Sequence, residues 1–512
     1  MISLFQALPS LSASTVSTVV ILLLVSSYTI WASRGFRFSS KSPKRLREGY
    51  PIFGALRFFT ARWDFFQQAR AQTPTGNFTF FVGKHPVIGL TGEKPRQAFF
   101  QSRDLDFTEG YAVLFGQSPA DAKKADDVHV PDEDSNFTGP GGFFNKRMTH
   151  MISSASFGRN LPKLLKDVRG RLDDLKNDPT GLTDPFKSIY MTIYQLTMRM
   201  VGCDDIADDP ELLMKTLQYY EKIDGSATPI AVMYPWFPSP AVVKRTYAAG
   251  QLYMIVNKIV EDRAKTGKKR DDPLQYLIEQ GDSMYRIIEF IIGALFAGLL
   301  NSGINTAWVL TYLANDAHWR SEVRKEVESV AAKYSTNRDA PLIDQLAEVP
   351  FPAWESEFPL IDFCLKDSIR IQALGTAFRK NVTNKSIPIG TGDEVIDPGA
   401  IVTYHLGDVH LDPEIYPNPK QWDPSRYLPE KAEDKKKPFG YLGWGVGRHP
   451  CLGMRFAKLE NNVIIAMFTA MFDYELADKA GKPVQGTPEV DFNGKSAMKP
   501  RVRPYVKYTS RD

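Results

Sequence analysis

A glycine-rich loop runs directly into an apolar helix through one cysteine near the end of the chain. The loop reads Trp444-Gly-Val-Gly-Arg-His-Pro-Cys451-Leu-Gly453. Apolar residues then recur at helical spacing, at Phe456, Leu459, Val463, Ile464, Met467 and Phe468. Backbone N–H groups at a helix start favour a thiolate, and glycines let a flat group approach the backbone closely. The pattern therefore predicts a fold in which a long buried helix presents Cys451 as a ligand.

These are the requirements of an axial thiolate ligand to heme iron. The alternative is an ordinary buried free cysteine, which needs neither the Gly-x-Gly approach nor the following glycine. The other cysteines, Cys203 and Cys364, are too far away in sequence to form a paired-cysteine zinc motif with Cys451, and three cysteines cannot build a disulfide framework. Cys451 is therefore the candidate metal ligand.

The composition is that of a folded globular chain. With 43% hydrophobic and 24% charged residues, the 512 residues fall outside the disordered, collagen-like and coiled-coil classes. Lys plus Arg number 63 against 59 for Asp plus Glu, a net charge of +4. This balance gives no argument for a nucleic-acid partner, and none is expected.

An uncharged hydrophobic run from Ser14 to Trp31 approaches the length of a membrane-spanning helix. Basic residues follow it, beginning at Arg34 and Arg37, and none precedes it, so the positive-inside rule places the rest of the chain in the cytosol. A cleaved signal peptide is the alternative, but it would carry a basic segment before the apolar run. We predict a luminal tip and anchor over residues 1–33, a basic proline-containing linker over 34–51, and a catalytic domain over 52–512.

Periodicity and turn residues predict a mainly α fold with a small β-rich lobe. A hairpin is expected over 77–90 around Gly83-Lys84, and helices over 143–334, with a very apolar stretch at 287–313. Residues 117–142 are polar and rich in Pro and Gly, which indicates a long loop. The proline-broken apolar segment 226–242 is either a contact with the bilayer interface or a buried connection. Further helices are predicted near 362–372 and from Cys451 onward.

At the cysteine loop the chain resembles the cytochrome P450 family, whose motif is Phe-Gly-x-Gly-x-Arg-x-Cys-x-Gly. Gly445, Cys451 and Gly453 match it, whereas Trp444 replaces the Phe and His449 replaces the Arg. A His at that position also occurs in the sterol 14-demethylase branch. The resemblance covers the whole chain in order and implies a cytochrome P450 fold after one transmembrane helix, with heme b bound through Cys451, Trp444, Gly445 and Gly453.

The resemblance also implies two sets of buried charges. Asp367-Ser-Ile-Arg370 is similar to the family's Glu-x-x-Arg and would be completed by Arg426, although an exposed i, i+3 pair is the alternative. Arg147, Arg379 and His449 would bind the heme propionates. Arg147 ends Phe143-Phe-Asn-Lys-Arg147, similar to the family's Trp-x-x-x-Arg, with Phe143 in place of the Trp.

The family helix that crosses the heme carries Ala-Gly-x-Asp-Thr-Thr, and this chain departs from it at the acid and the first Thr. Here the sequence is Ala297-Gly298-Leu-Leu300-Asn301-Ser302. Leu300 cannot relay a proton, so Asn301, Ser302 and water remain for this task. An Asn here resembles prostacyclin synthase, an isomerase, and also the sterol 7- and 12-hydroxylases, which use dioxygen. Alternatively, Asn301 bonds only to its own helix backbone.

The resemblance implies a monooxygenase of secondary metabolism that oxidises a lipophilic, terpenoid or sterol-like molecule at the endoplasmic reticulum membrane. Electrons would come from NADPH through a reductase, since the sequence has no Gly-x-Gly-x-x-Gly loop of its own. A reductase-docking face or a solvated loop is expected at Lys435, Lys436 and Lys437, with Arg455 and Lys458 nearby. The alternatives are an isomerase or dehydratase that needs no reductase, and a heme-binding membrane protein without catalysis.

Overall fold

Long amphipathic and apolar helices make up most of the structure, a computed structural model. It describes residues 35–511 apart from 48, 51–52, 115–141, 230, 232–236, 373 and 495–496, and also positions 18, 21, 22 and 26. Most of the predicted anchor, nearly all of the predicted 117–142 loop and the middle of the 226–242 segment lie outside the described residues.

The described helices that precede the long helix at 284–315 are α1 (Arg57–Thr60), α2 (Arg62–Ala71), α3 (Glu93–Gln101), α4 (Phe107–Leu114), α5 (Gly142–Met151), α6 (Ser154–Lys176), α7 (Pro185–Val201), α8 (Asp204–Ala207), α9 (Pro210–Asp224), α10 (Pro240–Thr266) and α11 (Pro273–Glu279). Those that follow are α12 (Met284–Asn315), α13 (Ala317–Tyr334), α14 (Leu342–Leu346), α15 (Phe351–Ser356), α16 (Pro359–Gln372), α17 (Gly407–His410) and α18 (Met454–Met471). Short 3-10 turns lie at Pro424–Tyr427 and Glu433–Lys435. The helices predicted over 143–334 and near 362–372 are confirmed.

Helix α12 is the core of the helical lobe. Ser283 caps its first turn by accepting the N–H of Arg286. The residues that follow are mostly apolar, as expected for a helix that is buried on several sides. By length and composition it is the one helix among the described residues that could span a bilayer, but 56% of its apolar window is buried inside the protein. A helix that is buried to this extent is part of the protein core.

The strands are β1 (Phe78–Val82), β2 (His85–Leu90), β3 (Leu105–Asp106), β4 (Leu182–Thr183), β5 (Thr376–Asn381), β6 (Ile387–Pro388), β7 (Val395–Ile396), β8 (Ile401–His405), β9 (Phe472–Ala477) and β10 (Tyr505–Ser510). The β lobe is built on a five-stranded sheet in the order β1-β2-β8-β5-β3, and β6 and β7 form a two-stranded ribbon. A three-stranded sheet in the order β4-β10-β9 packs instead with the helices, since side chains of β9 and β10 belong to the same apolar core as α12. Val82 pairs with His85 across the predicted Gly83-Lys84 turn, so the hairpin is confirmed.

The end of the predicted linker is attached to this sheet. Leu46 is buried, and its N–H donates to the Thr79 carbonyl oxygen at 2.9 Å. Leu46 joins an apolar cluster that includes Phe58, Phe65 and Phe80. The chain therefore enters the β lobe before residue 52.

Candidate active site

The loop before Cys451 is held in shape by two glycines with left-handed backbones. Gly445 and Gly447 both have φ of +66°, which favours glycine. A Cβ on Gly445 would lie 2.5 Å from the His449 carbonyl oxygen, and one on Gly447 would lie 2.3 Å from the Phe100 carbonyl oxygen. The Cys451 N–H donates to the Trp444 carbonyl oxygen at 2.6 Å. The Gly-x-Gly motif thus folds the loop back on itself and against helix α3.

Helix α18 begins at Met454 with Gly453 as its N-cap, three residues later than the predicted start at Cys451. Cys451 is exposed, whereas Cys203 and Cys364 are buried. Desolvation by the surrounding protein raises the pKa of the Cys451 thiol, and the backbone N–H groups of Gly453 and Met454 lower it. The sulfur therefore accepts the amide hydrogen bonds of a helix start, as the sequence predicts.

Gly453 differs from Gly445 and Gly447, because its backbone conformation does not require glycine. Its φ is −85°, an ordinary value, and a Cβ there would meet no protein atom within 4 Å. Neither backbone strain nor a protein neighbour requires glycine here. A flat group bound against Cys451 would require it, because a side chain would occupy the space beside the sulfur.

Arg379 and His449 meet on one side of this loop. The His449 ring stacks on Phe107, with ring centroids 5.1 Å apart and planes at 23°. Desolvation lowers the pKa of His449, and the positive charge of Arg379 lowers it further. The Arg379 guanidinium lies 4.7 Å from the centroid of the same Phe107 ring. The structure therefore brings these two predicted propionate ligands together.

The charge of Arg379 has no carboxylate partner among the residues that the structure describes. Its side chain is 4% exposed, its Nη1 donates to the Phe378 carbonyl oxygen at 2.7 Å, and desolvation lowers its pKa. A buried guanidinium of this kind calls for an anion. Together with the exposed Cys451 and the open side of Gly453, it fits heme b, whose propionates are anionic.

Arg147 is engaged elsewhere. Its Nε and Nη2 bind the two carboxylate oxygens of Asp282 at 2.9 Å each, and its Nη1 donates to Gln280 Oε1 at 3.2 Å. This bidentate pair ties helix α5 to the turn before α12. No described contact joins Arg147 to Arg379 or His449, so its role toward a propionate stays a prediction.

The four residues predicted on helix α12 lie on two different faces. Ala297 and Asn301, one turn apart, are exposed, and Asn301 Nδ2 donates to the Ala297 carbonyl oxygen at 3.0 Å. Gly298 instead faces helix α7, because a Cβ there would lie 3.4 Å from Thr197 Cγ2. Ser302 is buried and lowers the pKa of Glu460 on helix α18. Only Ala297 and Asn301 are thus open to a small molecule.

The Asp367–Arg370 pair is fully buried, so it is not the exposed alternative. Arg426 Nε lies 3.9 Å from Asp367 Oδ1, but Arg426 hydrogen-bonds through Nη1 to Glu433 at 2.8 Å. Tyr427 donates its hydroxyl to Asp367 at 2.9 Å. The predicted triad is therefore part of a larger network, in which the Tyr427 hydroxyl, and not Arg426, lies within hydrogen-bond distance of Asp367.

Three of the five residues in the predicted docking face form close pairs within the chain. Lys437 binds Glu414 at 2.6 Å, Arg455 binds both oxygens of Glu355 at 2.8 Å, and Lys458 pairs with Asp362. These pairs neutralise much of the positive charge on this surface.

Sequence reasoning missed Phe107, Glu433 and Glu460. Phe107 is an exposed aromatic at the start of α4 with no motif around it, and Glu433 sits in a run of mixed charge. Glu460 carried a signal, since it is the one acidic residue within the apolar helix α18.

Comparison with known proteins agrees with this geometry. The family model described as cytochrome P450 matches residues 45–497. The chain is 35% identical to cytochrome P450 monooxygenase AacuE of Aspergillus aculeatus over 92% of each chain. It is also 35% identical to cytochrome P450 monooxygenase nsrP of Aspergillus novofumigatus, over 87% of this chain and 86% of that protein.

More distant similarities extend to sterol enzymes and to solved structures. The chain is 29% identical to sterol 14-demethylase of Arabidopsis thaliana over 57% of this chain and 56% of that protein. The fold matches the retinoic acid-bound cyanobacterial CYP120A1 with a TM-score of 0.70 and 20% identity, over 93% of this chain and all of that one. These matches, which agree with the exposed thiol at a helix start and with the buried guanidinium that lacks a carboxylate partner among the described residues, show that the chain belongs to the cytochrome P450 family of heme-dependent monooxygenases.

Proposed function

We propose that this P450 is a membrane-anchored monooxygenase of fungal secondary metabolism that oxidises a lipophilic, terpenoid or sterol-like substrate. Dioxygen would be consumed with two electrons from NADPH, delivered by a reductase, and two protons, giving one hydroxylated product and one water. The observation that carries the proposal is the surroundings of Cys451: an exposed thiol bonded by the amides of Gly453 and Met454, beside an open glycine. The fungal monooxygenases that match nine-tenths of the chain support the pathway class.

Each site residue has a task in this reaction. Cys451 would bind the heme iron as a thiolate, and the bound heme supplies the activation of dioxygen. The amide hydrogen bonds from Gly453 and Met454 temper the basicity of the sulfur. Arg379 and His449 would hold the propionates, the guanidinium as a full charge and the neutral imidazole as a hydrogen-bond donor.

Asn301 and Ala297 would line the side of the active site that contacts the substrate and dioxygen. The Asn301 Nδ2 group is already bonded to the Ala297 carbonyl, so its Oδ1 is the atom that we assign to an ordered water. An amide holds such a water without exchanging protons itself. The proton must therefore reach this water from another group.

We place the protein in the endoplasmic reticulum membrane, anchored once through residues 1–33, with the catalytic domain in the cytosol. The uncharged run from Ser14 to Trp31 and its basic C-terminal flank support this orientation. The sterol-like substrate class is supported by the similarity to sterol 14-demethylase over about half of the chain.

An isomerase or dehydratase that needs no reductase is the second candidate, and one observation favours it. Leu300 stands where the family helix carries an acidic residue, and the Asn301 Nδ2 group already donates to a carbonyl oxygen of its own helix. Such an enzyme would rearrange an oxidised substrate and take up no external electrons.

The deciding experiment measures product mass under isotopically labelled dioxygen, with a panel of terpenoids and sterols and with flat aromatic compounds of similar size for comparison. We expect one labelled oxygen atom per product, and turnover only with NADPH and reductase. Unlabelled product formed equally well without NADPH would establish the isomerase instead. Preference for the flat aromatic compounds would overturn the substrate class while leaving the reaction type intact.

A further inference from the structure

A second buried arginine without a carboxylate partner lies in the β lobe. Arg62 on helix α2 is 6% exposed, and its Nε donates to the Phe58 carbonyl oxygen at 2.9 Å. Within the part of the chain that the structure describes, neither Nη1 nor Nη2 has a hydrogen-bond partner, and no Asp or Glu lies within ion-pair distance. The end of a buried guanidinium is therefore left for another group to bind.

Arg62 carries a positive charge into apolar surroundings. Burial lowers its pKa to about 10, so the guanidinium is still protonated at neutral pH. It lies 4.5 Å from the centroid of the Phe58 ring and 5.9 Å from that of Phe378. The buried His405 imidazole nearby is neutral, because burial and the charge of Arg62 lower its pKa to about 3. Ring faces offset only part of the cost of burying a charge, so the position favours an anion.

The Tyr111 side chain connects Arg62 with the candidate heme site. Its hydroxyl is within electrostatic range of both Arg62 and Arg379. Burial raises the pKa of Tyr111, so the phenol stays neutral at pH 7 and cancels neither charge. The Tyr111 ring centroid is 4.5 Å from that of Phe107, the ring on which His449 stacks. Arg62 is therefore a second cation on this side of the site, in addition to the one assigned to a propionate.

A cavity of about 260 Å³ lies at the start of helix α1, close in sequence to Arg62. It is lined by Gly49, Tyr50, Ala55, Leu56 and Arg57. Ala55 belongs to the apolar cluster that contains Phe58 and Phe378, and Leu56 and Tyr111 pack against the same cluster. The cavity directly follows the predicted linker, so we expect it near the membrane surface, where lipophilic molecules reach the protein.

We propose that Arg62 binds the carboxylate of the substrate, so that this P450 oxidises a lipophilic acid. The inference rests on the proposed monooxygenase function and names a subclass of its substrates, the terpenoid or sterol acids. A carboxylate would supply both the opposite charge and the acceptors that Nη1 and Nη2 lack, and its skeleton would extend toward Ala297 and Asn301. An ester or an alcohol would leave the guanidinium unpaired, so Arg62 selects against neutral analogues.

The first test compares acids with their methyl esters. Abietic acid, lithocholic acid and the methyl ester of each are titrated into the native holoenzyme, and the change in the heme spectrum measures binding. We expect each acid to bind about tenfold more tightly than its ester, because the acid alone forms the buried ion pair. Failure of both acids to bind better than their esters would overturn the proposal, and this comparison needs no variant.

Arg62→Gln should remove the preference for the acids by weakening their binding, with the affinity for the esters unchanged. Arg62→Lys keeps the charge and should keep part of the preference. Arg96→Gln is the matched control, since Arg96 is equally buried but its Nη atoms donate to the Tyr404 hydroxyl at 3.3 Å and the Pro438 carbonyl oxygen at 3.1 Å. Preference retained in Arg62→Gln, or lost equally in Arg96→Gln, would overturn the assignment.

A heme propionate carries the same carboxylate chemistry, and a second measurement separates the two sources. The rate at which the substrate-free protein transfers heme to apomyoglobin should be the same in Arg62→Gln and the native enzyme. Faster transfer from Arg62→Gln together with an intact preference for the acids would assign the guanidinium to a propionate and overturn the substrate role.

The carbon monoxide spectrum of each variant verifies folding and heme binding before these comparisons. The labelled-dioxygen experiment keeps the two proposals apart. If the native enzyme incorporates label into neutral lipids and does not prefer acids, only the role of Arg62 fails. If the product carries no label, the monooxygenase function fails, and the acid-to-ester preference in binding still decides whether Arg62 recognises a carboxylate.

Discussion

Arg370 Nε lies 2.7 Å from Asp367 Oδ1, one helical turn away, and both side chains are completely buried. The same carboxylate accepts the Asp423 N–H at 2.7 Å and the Tyr427 hydroxyl at 2.9 Å. These neighbours satisfy an aspartate that is one methylene shorter than the family's glutamate. A short acid is therefore sufficient here, because the surrounding chain supplies donors at close range.

Replacing Asp367 by alanine should destabilise the fold severely, since Arg370 would remain as an uncompensated buried charge. We expect a loss of about 3–5 kcal/mol in the free energy of unfolding, together with poor heme incorporation. Thermal unfolding and the yield of heme-bound protein measure this. Asp344→Ala, which removes the half-buried partner of Arg169, is the control and should cost less than about 1 kcal/mol. Equal stability of the two variants would contradict the assignment.

Cys451→Ala should abolish the thiolate band of the reduced, carbon monoxide-bound protein, because the other two cysteines, Cys203 and Cys364, are buried away from the loop. Cys364→Ala is the matched control, since Cys364 is buried within helix α16 and should keep the band. A thiolate band that survives in Cys451→Ala would show that a different ligand holds the iron.

Asn301→Ala should slow product formation and divert NADPH electrons to hydrogen peroxide, because the water at Oδ1 loses its anchor. Product and peroxide formed per NADPH measure the effect. Thr311→Ala provides the control, since Thr311 makes a comparable bond to its own helix, at 2.8 Å from the Ala307 carbonyl oxygen, and is buried. If Asn301→Ala changes substrate affinity alone, with peroxide unaffected, Asn301 orients the substrate and has no part in proton delivery.

Deletion of residues 1–33 should release most of the protein from membranes, because the long uncharged run near the N-terminus lies there. Carbonate-resistant fractionation of the full and shortened chains measures the change. Complete membrane retention of the shortened chain would point to another anchoring segment, with 226–242 as the first to delete.

Ionisation of the buried Glu326 carboxyl should lower the free energy of unfolding as the pH rises. Burial raises its pKa to about 7, above its ordinary value of 4.5, so its contribution to stability is complete below pH 4.5 and is lost as the pH rises to 7. Glu326→Gln should remove a decline on the order of 2 kcal/mol over this interval. Thermal midpoints of both proteins at pH 5 and pH 8 test this, and parallel pH profiles would contradict it.

Local patterns in the sequence predicted the parts of the fold that depend on local physics. The hairpin follows from β-rich runs around Gly83-Lys84, and the thiolate loop from glycines whose positive φ is now seen at Gly445 and Gly447. Arg379 and His449 could be named through their resemblance to family motifs. In each case a short segment carries its own signal.

Pairings across the fold had no such signal. Arg147 binds Asp282, 135 residues away, and Arg426 turns to Glu433 although Asp367 is within 3.9 Å. The division of helix α12 into an exposed face with Asn301 and a buried face with Ser302 depends on which helices pack against it. Periodicity shows that such a helix is apolar all round, but the neighbour on each side is set by tertiary packing.

The contact between Gly447 and the Phe100 carbonyl has a consequence for how the chain matures. It joins the end of helix α3, made early in synthesis, to a loop made near the end, and no side chain could replace the glycine at that distance. Closing so long a loop is entropically costly until both partners are already structured. We therefore expect helix α3 and the sheet beside it to be folded before the thiolate loop closes on them, so that heme capture is a late step of assembly.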